Sequence, residues 1–154
     1  MLQAAFVQTL VDVRRFPTSR WNPQFNRGAL AETLRSIGID YVHEVELGGR
    51  LADEPGEERF PCLREPAFRS YAARMGRDAW QIALGDALAR PAPAFLCAET
   101  LPARCHRRLI ADLLHARGHD IVHLIRPGEI QSHVPSPDAV FRDGKLFLCG
   151  SLVV

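Results

Sequence analysis

The strongest constraint in this sequence is the alternation of short, β-branched apolar runs with longer segments of helical period. FVQTLVDV (6–13) is short, apolar and closed by Arg14 and Arg15, which reads as a buried strand. In 27–37, Leu30, Leu34 and Ile37 recur at i, i+4 and i+7. Asn26 stands where a cap is needed and Gly38 where the chain must turn left-handed. IDYVHEVEL (39–47) alternates and predicts a second strand, followed by a long loop over 48–66. Helices are expected over 66–75 and 78–89, separated at Gly76. PAFLCA (93–98) reads as a third strand, 102–117 as a helix burying Leu109, Ile110, Leu113 and Leu114, and DIVHLI (120–125) as a fourth strand. Asp143-Gly144 between the runs 139–142 and 145–149 is a hairpin signal. This order predicts an α/β protein. The expected form is a single three-layer domain over 1–154, with a mostly parallel sheet, helices on its faces and a C-terminal hairpin.

Composition narrows the function classes. With 154 residues, 47% apolar and 24% charged, the chain can bury roughly 70% of its unfolded surface without a metal or disulfide. A net charge of +1 excludes a strongly basic nucleic-acid protein and an acidic tail protein, but leaves room for a local basic site. The basic residues are 18 arginines and the single Lys145, and arginine binds phosphate and carboxylate as a rigid fork. No apolar run reaches about 18 residues and MLQAAFVQTLVDVRR lacks the form of a secretory signal. The expected location is therefore the cytoplasm, with no membrane partner. Cys62, Cys97, Cys105 and Cys149 are widely spaced and read as thiols rather than a disulfide framework.

Three blocks carry a family resemblance: LVDVRRFPTSRWNPQFN (10–26), YVHEVELGGR (41–50) and FLCAETLPARCHRRLIADLL (95–114). Together with the tail from His133 to Leu148, they resemble the domain-of-unknown-function family numbered 488. The resemblance implies an α/β fold and no established reaction. Members of that family usually begin with a strand and helix carrying a Thr-Ile-Gly-His-Ser-like stretch, whereas this chain starts only about ten residues before Val11. By that comparison a first strand–helix unit is lost, or the start codon is misassigned. If that strand lies mid-sheet in relatives, its vacant edge would suit a second copy in a homodimer.

Parallel α/β sheets bind ligands beyond the carboxyl ends of their strands. Asp12, Arg14, Arg15, Arg20, Asn22 and Asn26 follow the first strand; Gly48, Gly49 and Arg50 the second; Glu99, Arg104, Cys105, His106 and Arg107 the third. Thr100 can cap the helix expected from Pro102, so that free N–H groups join Arg104 and Arg107 in holding a phosphate or carboxylate. Near a helix start, Cys105 is a candidate nucleophile, with Glu99 or His106 moving protons. The plainer alternatives are a packed Cys105, a His106 partly buried in line with Ile110 and Leu113, and an Arg108–Asp112 surface pair. The Cys-phosphatase loop fails by spacing, because Ala103, not Arg104, stands six residues after Cys97. Cys97, Glu99, Cys105, His106 and His43 show no standard ligand spacing, so no metal is expected; no cofactor is identified.

Arg14, Arg15, Arg20 and Arg27 against Asp12 give the first loop a local charge of +3, interleaved with Phe16, Trp21 and Phe25. Such a loop could stack bases and contact phosphates, or its aromatics could pin it to the core. Asp12 would pair with a neighbouring arginine, Gly48-Gly49 would mark a turn or a close backbone approach to ligand, and Asp53, Glu54, Glu57 and Glu58 would form a solvated face or a lid. The expected partner is an anionic, phosphate-bearing ligand, a nucleotide or nucleic acid, bound at strand ends by an enzyme. The alternatives are a non-catalytic nucleic-acid module and a structural or partner protein.

Overall fold

The computed structural model describes residues 1–49 and 53–154. Arg50 therefore lies outside the described residues. The protein is α/β, and its chain divides into two compact units, 1–49 with 82–98, and 50–81 with 99–154.

The first unit is built on three parallel strands in the order β2-β1-β3: β1 (Thr9–Asp12), β2 (Asp40–His43) and β3 (Pro93–Leu96). Every residue of the central β1 is buried, as a strand flanked on both edges requires. Its register sets Asp12 against His43 on one side and Leu96 on the other. The strand is shorter than its apolar run because Phe6 turns left-handed (φ 55°) after a 3-10 turn at Gln3–Ala5 and is 83% exposed. Helix α1 (Arg27–Ser36) packs Leu30 and Leu34 with Leu10 and Ile39, and Gly38 closes it at φ 74°. Asn26 occupies the cap position but makes no cap bond; its Oδ1 accepts the Ser19 N–H at 2.6 Å and ties down the preceding loop. The second strand also stops early, and Val45–Leu47 forms a 3-10 turn.

The second unit contains α2 (Pro66–Met75), α4 (Arg107–Ala116) and two antiparallel sheets. Helix α3 (Asp78–Leu88) begins in this unit and continues into the first. Helix α4 packs on β6 (Ala139–Arg142) and β7 (Lys145–Leu148), where Leu146 and Leu148 are fully buried. Each such leucine contributes about 2 kcal/mol of burial. Asp143 (φ 51°) and Gly144 (φ 72°) make the turn that Asp-Gly predicts, and β8 (Ser151–Leu152) adds a third strand.

Three sequence expectations are corrected here. The fourth strand, β4 (Val122–Arg126), does not extend the parallel sheet but pairs antiparallel with β5 (Glu129–Ser132). Pro127 pre-sets the turn and Gly128 supplies its positive φ of 80°. The acidic loop is not simply a solvated face: Glu54 is 7% exposed and pairs with Arg77, and Glu57 accepts the Ser70 hydroxyl. The four cysteines are not all thiols, because Cys62 and Cys149 are joined across 87 residues. By loop-closure entropy a bond closing a loop of that length stabilises by up to about 4.6 kcal/mol. Proteolytic mapping without reductant should give one Cys62–Cys149 linked peptide pair, with Cys97 and Cys105 alkylated after denaturation; alkylation of all four would refute the bond.

Candidate functional site

In the first unit the polar residues at the strand ends close on one another. Asp12 ends the buried β1, and a buried carboxylate is tolerated only when donors surround it. Arg14 supplies them from N (3.0 Å), Nε (2.8 Å) and Nη2 (2.5 Å), and the Tyr41 hydroxyl donates at 2.7 Å. Tyr41 reaches Asp12 because residues two apart on parallel strands share a face. Burial pushes the Asp12 carboxyl up, but the bonds from Arg14 and Tyr41 outweigh it and hold the group below 3.8. Burial, then the bond to Asp12, raises the Tyr41 phenol well above its ordinary value. Arg14 is thus committed to an internal carboxylate, as expected for Asp12, and its charge is balanced there.

The chain after β1 is held by its neighbours as well. Val13 N–H donates to the Leu96 carbonyl, Glu44 N–H to the Asp12 carbonyl, and His43 Nε2 lies 2.8 Å from the Arg14 carbonyl. A Cβ on Gly48 would sit 2.8 Å from the Val45 carbonyl and 3.5 Å from Arg15 backbone, so the close approach that Gly48 permits is to backbone. Gly49 is buried beside it, while Arg20 and Asn22 are exposed on the loop. The aromatics do not pin that loop: Trp21 is 93% exposed and Phe16 66%.

In the second unit, Pro102 does not open the helix. Pro102–Arg104 is a separate 3-10 turn, and α4 begins at Arg107, so Thr100 is not its cap. The cap position is held by His106, which makes no side-chain cap bond, and the Cys105 sulfur before it accepts the Arg107 backbone N–H at 3.5 Å and its Nε–H at 3.3 Å. Arg107 Nη2 donates to the Glu99 carbonyl at 2.5 Å. This knot brings together three predicted residues: Glu99 through its backbone, Cys105 and Arg107. Cys105 is 1% exposed, and His106 packs its ring 4.9 Å from Tyr71. Arg104 and the Glu99 side chain are exposed.

One turn along α4 is a cluster that the sequence reading missed. Asp112 is not a surface partner of Arg108, whose guanidinium lies over Phe68. Asp112 is fully buried and accepts Ser136 N–H (3.0 Å), the Ser136 hydroxyl (2.5 Å) and His133 Nε2 (3.0 Å). His133 Nδ1 in turn lies 3.0 Å from His123 Nε2. The available signal was an acid inside the run Leu109–Leu114, where the neighbouring apolar residues leave it no solvent face.

The architecture and these strand-end clusters define an α/β protein with polar groups gathered at the carboxyl end of a parallel sheet and at the start of a following helix. The chain belongs to the family described as Domain of unknown function DUF488, whose profile matches residues 1–114. No curated protein and no solved structure matches the chain. Among the described residues no helix is long and apolar enough to cross a membrane.

The Asp12 clasp carries a pH signature. A carboxyl held below its ordinary value contributes stability that is complete above the unfolded value of 3.8 and is lost as pH falls through the lowered folded value. Asp12→Asn leaves the part-buried Arg14 charge without its partner and should cost about 2–3 kcal/mol at neutral pH. It should also flatten the acid limb of urea stability below about pH 4; an acid limb identical to wild type would remove Asp12 from the account.

Proposed function

We propose that the protein binds a phosphate-bearing ligand, a nucleotide or the phosphates of a nucleic acid, at the start of α4, and acts on it as an enzyme. Arg104 and Arg107 are the anion-binding arms. Glu99, Cys105 and His106 are the nearby groups suited to proton transfer or nucleophilic attack. The observation that carries the reading is the knot at the helix start, where Arg107 is fixed against Cys105 and Glu99 while Arg104 is exposed beside it. A rigidly held guanidinium at the positive end of a helix loses little entropy on meeting an oxyanion. Asp12, Arg14, Arg20, Asn22, Asn26, Gly48 and Gly49 enter this reading differently. Arg14 serves Asp12, and Gly48 serves backbone packing.

The first loop favours a second reading, a non-catalytic nucleic-acid module. Trp21, Phe16 and Phe25 expose 93%, 66% and 48% of their surface beside Arg15, Arg20 and Arg27, an arrangement that stacks unpaired bases. Binding to single strands that weakens steeply with salt and is lost in Trp21→Ala would favour the module. The first reading carries the expectation of a cytoplasmic setting, and the Cys62–Cys149 bond weighs against it, because disulfides persist in oxidising compartments.

Calorimetric titration with inorganic phosphate and a nucleoside monophosphate tests the first reading. Arg104→Ala should weaken binding by about 1–3 kcal/mol, with the melting temperature unchanged. Affinity equal to wild type in that variant would overturn the anion site.

A further inference from the structure

The first loop is tied shut by its own hydrogen bonds. Arg27 N–H donates to the Pro17 carbonyl at 2.9 Å, which brings the two ends of the segment 17–27 together. Inside that closure Asn26 Oδ1 accepts the Ser19 N–H at 2.6 Å, and the Ser19 hydroxyl oxygen accepts the Asn22 N–H at 3.0 Å. Pro23–Phe25 forms a 3-10 turn, with Phe25 N–H donating to the Asn22 carbonyl and Asn26 N–H to the Pro23 carbonyl. Pro17 and Pro23 each fix a backbone angle. A loop whose ends meet and whose backbone is bonded internally is a compact Ω-loop, a form often used for binding.

This frame holds its aromatic rings outward. Trp21 is almost wholly exposed near the tip, and Phe16 and Phe25 are exposed on either side of the closure. Arg20 and Arg27 are exposed beside them, and the Arg15 guanidinium lies over the Phe16 ring. No acidic residue occurs from Val13 to Ala31, and the nearest acid before them, Asp12, is balanced by Arg14. The charge and the rings therefore call for an anionic partner with flat apolar faces. Thr18, Ser19, Arg20, Asn22 and Gln24 separate the rings. A bilayer would have to take in those polar groups with the rings, which is costly. Unpaired bases stack on the rings and leave the polar groups to phosphate and water.

We propose that the segment 17–27, with Phe16, is a preformed stacking platform for single-stranded nucleic acid. This deepens the nucleic-acid reading of the first loop given above and rests on it. Trp21 and Phe25 take base faces, and Arg20 and Arg27 meet phosphates. Ser19 and Asn26 are positioning residues, which hold the tip in place before the strand arrives. Because the frame is already closed, binding orders little backbone, and the affinity is spared that entropy loss.

Fluorescence anisotropy of the full chain with a labelled oligothymidylate of about twelve nucleotides tests this. Wild type should bind. The slope of log affinity against log salt should fall by about 0.7 in each of Arg20→Gln and Arg27→Gln. Trp21→Ala should weaken binding about tenfold or more and keep the wild-type slope. Asn26→Ala should weaken it about three- to tenfold, also at the wild-type slope. Fluorine NMR of the chain carrying 5-fluorotryptophan reports the frame directly, because the second of its two tryptophans, Trp80, is fully buried. The oligonucleotide should shift the Trp21 resonance and leave that of Trp80. In Asn26→Ala the Trp21 resonance should narrow as the loop loosens, while an unchanged Trp80 shows the fold retained. No binding, or binding that Trp21→Ala leaves intact, overturns the reading and the platform together. Trp21-dependent binding that Asn26→Ala leaves at wild-type strength overturns the preformed frame alone. So does a wild-type Trp21 resonance as narrow in the free protein as in urea, which decides the point even if that variant does not fold. A duplex of the same length bound as tightly overturns the stacking role. Capture by phosphatidylserine vesicles through Trp21, without oligonucleotide binding, overturns nucleic acid as the occupant.

Discussion

A carboxylate in the middle of a buried helix face must be given donors or the helix cannot pack. Asp112 meets that demand with three, all from residues more than a turn away in sequence: Ser136 N–H, the Ser136 hydroxyl and His133. Much of the second unit's polar arrangement follows. The 133–136 segment is fastened to α4, His133 is oriented by its bond to Asp112, and His123 is oriented by its bond to His133. The same demand shapes the first unit, where Asp12 ends a wholly buried strand and draws in Arg14 and Tyr41. In both cases burial comes first, and the polar cluster is its consequence.

Seen this way, the arginine-rich composition divides by use. Arg14 neutralises Asp12, Arg77 pairs with Glu54, Arg126 with Glu129, and Arg108 lies over Phe68. Arg107 is half internal, braced on the Cys105 sulfur and the Glu99 carbonyl. The outward-facing Arg104 and the loop arginines beside exposed Trp21 are the ones whose positions suit an external anion. An even balance of charge therefore says little about a site; the division between internal and exposed guanidinium groups says more.

Much of the fold was legible because its signals are local. Helical period located α1, α2 and α3 within a residue or two, and Asp143-Gly144 located the last hairpin. The misreadings share a cause: each turned on which partner a group meets, which residue type and period do not fix. DIVHLI looked like a parallel strand because its run is apolar, yet Pro127-Gly128 turns it back on β5. Asn26 looked like a cap, but the Ser19 backbone takes its side-chain oxygen. Cys62 and Cys149 looked like separate thiols across 87 residues of chain. The Asp12–Arg14 pairing could be read because the two are neighbours. Asp112 with His133 could not, because Arg108, four residues before Asp112 on the same helix, offered a nearer apparent partner.

The polar arrangement of the second unit depends on the energetic coupling between Asp112 and His133. Unfolding free energies of wild type, Asp112→Asn, His133→Gln and the double variant measure it in a single cycle. A buried, hydrogen-bonded pair predicts a coupling of about 1–3 kcal/mol. Additive effects, with a coupling under about 0.5 kcal/mol, would show that the carboxylate does not hold the ring, and the arrangement built on it would be contradicted.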